Sequence, residues 1–352
     1  MSILTANLIQ ISFFSLLAFI IAVGTYPPFI EMIAKFKLTK KIREESMDGK
    51  KAKIFARLHA HKSGTPTMGG AVIVFAVLIT VIISRVLSYY GIVESSLLNR
   101  GETYLPIATL AGAGILGLVD DYLNIIESGK QKGLSARVKM ISLLAMAGLG
   151  ALWFAFKLEW STIHLPGIGN FDIGLWYIPL FMFVFVGTAN AVNFTDGLDG
   201  LAGGLLAICF TVMAAIAYFY ELPILATFCC VIVAAIAGFL WFNVPPAKIY
   251  MGDAGSMALG ATLGVIAMLT NAVVVLAIIS VIFILETISV ILQLFWKKHF
   301  KRKLFLVAPI HHHFEALGWS ETQIVMRFWM IGAIAGVIGL LLGLITIDGG
   351  LF

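Results

Sequence analysis

The sequence predicts an all-α, polytopic integral membrane protein, a single transmembrane domain over residues 1–352 with about ten helices crossing the bilayer. Three observations lead there. Charged residues make up only 12% of the chain against 60% hydrophobic ones, and mean hydropathy is +0.98; a soluble domain carries about 25% charged residues. Ten apolar stretches are each long enough to cross roughly 30 Å of hydrocarbon. All but three of the 24 basic residues, the exceptions being Arg85, Arg100 and Lys157, fall on one set of alternate loops. This composition excludes a nucleic-acid binder, a secreted disulfide scaffold and a disordered chain. The three cysteines, Cys209, Cys229 and Cys230, lie inside apolar runs and form no disulfide framework.

The stretches fall at about 8–30, 68–87, 104–123, 138–156, 174–193, 200–220, 222–242, 254–270, 272–296 and 327–347. No basic residue precedes the first and no small-residue cleavage site follows it, so it reads as a retained span. Alternating apolar and polar runs are absent, so the spans read as helices and not barrel strands. The third ends in Asp120-Asp121-Tyr122 and the fifth runs into Asn193-Phe-Thr-Asp196-Gly-Leu-Asp199-Gly200. The eighth begins beside Asp253, after a Pro-Pro and Gly-bearing junction, and the ninth carries Glu286, either a polar group of the bundle or part of a kinked groove. No internal repeat is visible, which weakens an inverted-repeat transporter.

The loops at 31–67, 121–139, 194–199, 243–253 and 297–327 share one face and most of the positive charge. By the positive-inside rule that face is cytoplasmic and both termini lie outside. The runs Lys35–Lys53 and Lys297–Lys303 read as anchors against anionic lipid.

The cytoplasmic face also collects the chemistry. Asp120, Asp121, Asp196, Asp199 and Asp253 all sit at helix ends there, although an Asp at bilayer depth costs about 2.5–3.5 kcal/mol. Carboxylates without thiolates suit a hard, oxygen-seeking cation such as Mg²⁺. Lys62, Lys130, Lys132, Arg137 and Lys139 are cations suited to phosphate. Together they point to phosphoryl transfer involving a lipid. Plainer readings stand beside this one: Asp199 as a helix N-cap, Asn190 as an interhelical amide, and His311-His312-His313 as a solvated loop or a zinc site. Consecutive histidines do not project to one side, so substrate phosphate contact is the expectation for the triplet.

The motifs resemble those of the phospho-N-acetylmuramoyl-pentapeptide transferase family, within the wider polyprenyl-phosphate N-acetylhexosamine-1-phosphate transferases. The resemblance rests on Lys62-Ser-Gly-Thr-Pro-Thr67-Met-Gly-Gly, Asp120-Asp121-Tyr122, Lys132-Gly-Leu-Ser-Ala-Arg137, Asn193 to Gly200, Tyr250-Met-Gly-Asp253, Ala308-Pro-Ile-His-His-His-Phe-Glu315 and Arg327-Phe-Trp. The His-bearing stretch carries the narrower assignment. Asn124 stands where relatives often carry a lysine, and Phe194 where they have leucine.

The resemblance implies transfer of phospho-N-acetylmuramoyl-pentapeptide from its UDP derivative to undecaprenyl phosphate in the bacterial inner membrane, with Mg²⁺ as cofactor and UMP released. It implies Asp253 as metal ligand, Asp120 as base or orienting group, and Asp121 beside it. Asn193, Asp196 and Asp199 would line the nucleotide site, and His311, His312 and His313 would meet the diphosphate. Tyr250 and Gln293 would lie near the uracil, Lys62 and Lys132 at phosphate charge, with Thr67 and Asn243 completing the substrate contacts. Expected partners are the two substrates, the bilayer and a second copy in a homodimer, and no nucleic acid. A sister N-acetylglucosamine-1-phosphate transferase shares the aspartates, a cation-coupled transporter would need its acids near the midplane, and a structural scaffold would explain none of them.

Overall fold

The computed structural model describes residues 3–36, 64–99, 101–126 and 133–345; Lys62 and Lys132 lie outside them. The described chain is a helical bundle. Among the described residues, eight helical segments are long and apolar enough to cross a membrane. They contain α1 (Ile3–Lys35), α2 (Gly69–Tyr89), α3 (Tyr104–Ile126), α4 (Ala136–Leu152), α5 (Tyr177–Thr195), α6 (Leu201–Phe219), α7 (Pro223–Asn243) and α12 (Glu321–Ile345). The polytopic, all-α expectation holds.

Two of the ten apolar stretches depart from a simple span. The eighth forms α8 (Asp253–Leu269), only 17 residues long. The ninth is not one straight helix: α9 (Val273–Ile279) and α10 (Val281–Phe300) are bent by 76° at Ser280. The Ser280 hydroxyl donates to the Leu276 carbonyl at 2.6 Å, four residues back. Such side-chain bonds compete with the backbone ladder and accompany bends. A short helix, α11 (Ile310–Ala316), carries the histidines. Between α4 and α5, where the sequence shows only a span-free segment, β1 (Thr162–Leu165) and β2 (Gly169–Asp172) pair antiparallel.

Helix α8 is the centre of the bundle. Every residue from Ala254 to Met268 is buried, as expected of a helix that is apolar all round. It packs on α3, α5 and α2 through glycines that bring backbones together. A Cβ on Gly70 would overlap the Gly255 Cα, one on Gly117 would overlap the Asp253 carbonyl, and one on Gly260 would stand 2.6 Å from the Thr188 carbonyl. Close backbone approach of this kind is how helices associate where no hydrophobic drive exists between them.

The two ends of the bundle are distinct. At one end Gln10 meets Ser95, Glu102 meets Leu225, the β1 backbone meets Asn271, and Tyr220 meets the Gly343 carbonyl. All five aspartates lie at the other end.

Gly70→Val should therefore push α2 off α8, whereas Gly148→Ala, with nothing within 4 Å of the new carbon, should be neutral. Overpacking costs about 1–3 kcal/mol. A lower thermal midpoint in detergent for the first substitution alone is the expected result; equal midpoints would contradict the packing.

Candidate active site

The site begins where α3 ends. Asp120 and Asp121 are buried in the last two turns of that helix, and they face different partners. Asp121 accepts the backbone N–H of Asp253 on one oxygen and of Ala254 on the other, both at 3.1 Å. These are the first amides of α8, which have no partner within their own helix. Asp121 thus caps α8 from a different helix, and its negative charge lies at the positive end of the helix dipole. Gly252, with φ +73°, leaves room for it; a Cβ there would overlap the Asp121 carboxylate.

Asp120 turns the other way. Its Oδ2 accepts from Lys139 Nζ at 2.8 Å and from Asn124 Nδ2 at 2.7 Å, and its Oδ1 accepts from the Leu134 N–H at 2.8 Å. The same Lys139 Nζ reaches Asp253 Oδ2 at 2.8 Å. Asp253 Oδ1 accepts from Asn193 Nδ2 at 2.8 Å, and Asn193 also reaches Ser256 Oγ at 2.9 Å. Two carboxylates from α3 and α8 therefore converge on one cationic nitrogen. Asp120 is 1% exposed, while the Asp253 and Lys139 side chains are 19% and 26% exposed, so the cluster opens to solvent on the lysine side. Asn124 serves Asp120 as a neutral donor, and Lys139 supplies the charge.

A second group of residues braces the floor. Asp199 Oδ2 accepts the Ala247 N–H at 3.0 Å, and the Asp199 N–H donates to Glu321 Oε1 at 2.6 Å. Asn243 accepts from the Gly200 N–H at 2.9 Å and donates to the Ile249 carbonyl at 2.8 Å. These bonds tie the 196–200 turn to the 244–250 loop. Asp199 is not the cap of α6; Gly200 holds that position without a side-chain bond. Tyr250 donates its N–H to the Pro66 carbonyl, and the carbonyls of Tyr250 and Met251 accept from Gly69 and Gly70. Buried Thr67 lies in the strand-like segment held this way.

The histidines diverge, as consecutive residues must. His311 is fully buried, with Nδ1 3.0 Å from Glu286 Oε2, and its ring abuts Gly197 so closely that a Cβ there would overlap Nε2. His312 Nδ1 lies 2.5 Å from Glu315 Oε2, and His313 Nδ1 accepts from the Leu306 N–H at 3.3 Å. Three partners in three directions exclude their convergence on one ion. Gln293 holds the loop beyond α10: Oε1 accepts from the Leu304 and Phe305 N–H groups, and Nε2 donates to the Phe305 carbonyl. Its amide is engaged with backbone, not presented for uracil.

The structure thus brings together Asp120, Asp121, Asn193 and Asp253, and sets the Asp196–Asp199 turn against His311. Sequence reasoning listed Lys139 only among general phosphate cations and gave no place to Ser256 or Glu321. A signal for Lys139 did exist. Helix α4 is capped by Ser135, whose hydroxyl accepts the Val138 N–H, and Arg137 and Lys139 follow within its first turn. Cations at a helix N-terminus oppose the dipole, so their presence there calls for a partner elsewhere.

Comparison with known proteins identifies the family. Residues 103–271 match the model of glycosyl transferase family 4, and residues 62–74 match signature 1 of the phospho-N-acetylmuramoyl-pentapeptide-transferases. The chain is 40% identical over 323 residues to the phospho-N-acetylmuramoyl-pentapeptide-transferase of Listeria welshimeri, covering 91% of this chain and 94% of the relative. It is 37% identical over 331 residues to that of Bacillus pumilus, covering 94% and 97%. The enzyme of the same name from Geobacillus sp. is 37% identical over 329 residues, covering 92% and 95%. The chain belongs to the phospho-N-acetylmuramoyl-pentapeptide-transferase family.

Proposed function

We propose that this protein transfers phospho-N-acetylmuramoyl-pentapeptide from its UDP carrier to undecaprenyl phosphate at the cytoplasmic face of a bacterial inner membrane. The observation that carries the reading is the convergence of Asp120 and Asp253 on a single cation position at one end of a membrane bundle, beside the His311 turn. In the reaction an oxygen of the lipid phosphate attacks the phosphorus bearing the sugar. The bond from that phosphorus to the bridging oxygen breaks, UMP leaves, and a lipid-linked pyrophosphate forms. A phosphomonoester is already largely ionised near pH 7, so the attack needs orientation more than a base. Asp120 orients the acceptor phosphate together with Lys139.

Asp253, aided by Asp120, has the donor set for Mg²⁺, which takes one or two carboxylates and completes its shell with water and substrate phosphates. Bound there, the ion would neutralise charge on the diphosphate. Asn193 holds the Asp253 carboxylate in place, and Asp121 positions the whole α8 N-terminus. The Asn193–Gly200 turn and the face of α11 form the nucleotide side. Asn243 and Gln293 shape that side through the backbone, Thr67, Tyr250 and Asp196 belong to the same substrate surface, and the role proposed for Lys62 and Lys132 is to meet phosphate charge.

Purified protein with UDP-N-acetylmuramoyl-pentapeptide, undecaprenyl phosphate and Mg²⁺ should release UMP; release only with UDP-N-acetylglucosamine would assign the sister activity. Asp253→Asn and Asp120→Asn are close to isosteric and should each lower turnover by roughly 10²-fold, the scale of losing one preorganised electrostatic group. Wild-type turnover in Asp253→Asn would refute its role.

Chelation should abolish turnover, and Mg²⁺ or Mn²⁺, not Zn²⁺, should restore it. Activity that survives exhaustive chelation would remove the metal from the scheme.

For orientation, Ile168→Cys in the β1–β2 turn and Lys303→Cys beyond α10 distinguish the two faces in a Cys230→Ser background. An impermeant thiol reagent should label the first in intact cells and the second only after lysis. The reverse pattern would invert the protein in the membrane.

A further inference from the structure

The turn that carries Asp196 and Asp199 is fastened from four directions, and one of the four fastenings comes from a helix with no group in the phosphate site. Asp199 Oδ2 accepts the Ala247 N–H, the Gly200 N–H donates to Asn243 at the end of α7, and Gly197 lies against the His311 ring. The fourth is Glu321, the first residue of α12, whose Oε1 accepts the Asp199 N–H at 2.6 Å. That is shorter than the usual length of about 2.9–3.0 Å, in keeping with a charged acceptor. A carboxylate in the first turn also suits the positive end of its own helix. The helix has little room to shift. Val325 and Trp329, from its next turns, lie 4.0 and 3.6 Å from where a Cβ would stand on Gly200, and a Cβ on Gly204 would overlap the Trp329 indole. Packing of α12 on the start of α6 thus delivers Glu321 to Asp199.

The turn is enclosed unevenly. Thr195, Leu198, Asp199 and Gly200 are buried, whereas Asp196 and Gly197 are partly open. Asp199 is 5% exposed, with its N–H and its Oδ2 both bound within the protein. A buried amide deprived of its acceptor draws the backbone toward another arrangement in which it is paired, and Asp196, three residues earlier, would move with it. We propose that Glu321 is a positioning residue for the sugar-nucleotide donor: through the Asp199 backbone it fixes the turn so that Asp196 is presented to the nucleotide. This rests on the reading of the Asn193–Gly200 turn as the nucleotide side. The acceptor phosphate is assigned to Asp120 and Lys139, which among the described residues share no hydrogen bond with Glu321. Loss of the Glu321 bond should therefore weaken donor binding and spare both the acceptor and the chemical step.

The test uses the full-length protein in detergent, with initial rates taken at varied UDP-N-acetylmuramoyl-pentapeptide and at varied undecaprenyl phosphate. Glu321→Ala should raise the KM for the UDP donor about tenfold, the effect of leaving one buried donor unpaired. The kcat and the KM for the lipid should change by less than about twofold. Glu321→Gln keeps an oxygen for the Asp199 N–H and should recover most of the donor affinity. Hydrogen exchange, read by mass spectrometry on peptides over 193–201, gives a measure independent of turnover. Exchange there should quicken in Glu321→Ala and stay near wild type in Glu321→Gln. Should the alanine variant fail to fold, Glu321→Asp, one methylene too short to reach, should show the same split. Unchanged exchange in the folded alanine or aspartate variant would overturn the proposal and leave the nucleotide side standing. So would a glutamine variant no better than alanine, or equal losses for both substrates and kcat. Quickened exchange with an unaltered donor KM would remove the turn from the nucleotide side, and the proposal with it.

Discussion

Asp121 holds the N-terminus of α8, and the rest of the site depends on that contact. A helix start inside a bundle of low polarity leaves amide hydrogens that water cannot reach, and each unsatisfied group there costs several kcal/mol. The Asp121 carboxylate takes two of them. Because Gly70 and Gly117 bring α2 and α3 against the same turn at backbone contact, α8 has little freedom to rotate or slide. The direction of Asp253 toward Lys139 is therefore fixed by backbones and not by side-chain choice. A site that must hold charged phosphates in line gains from such rigidity, since small displacements of reacting groups are costly.

Around this fixed point the remaining polar residues mostly join loops to one another. Asp199 and Asn243 bind the 196–200 turn to the 244–250 loop, Gln293 binds the segment after α10, and Glu286 holds His311 from within the bent helix. Few of these groups point freely at solvent. The active face is made largely of backbone shaped by buried side chains, in keeping with sections of non-helical chain tolerated at membrane depth only where protein encloses them.

Much of this was legible in the sequence, for identifiable reasons. The apolar runs at 200–220 and 222–242 correspond closely to Leu201–Phe219 and Pro223–Asn243, because composition alone sets a helix in lipid. The aspartates were legible because charge within apolar sequence is conspicuous. The bend at Ser280 was not, since one serine leaves the hydropathy of a run unchanged. The capping role of Asp121 was also hidden: its partners lie 132 and 133 residues away, and they are backbone amides, which every residue but proline possesses. Gln293 carries the same lesson. The resemblance implied a place near the uracil, yet its partners are main-chain groups of a loop whose course no local pattern announces.

The shortness of α8 has a consequence for the membrane itself. Seventeen residues at 1.5 Å each span about 26 Å, some ångströms less than the roughly 30 Å of a typical hydrocarbon layer. Since α8 is enclosed by longer helices, its shortfall is met inside the protein and places no demand on the thickness of the surrounding lipid.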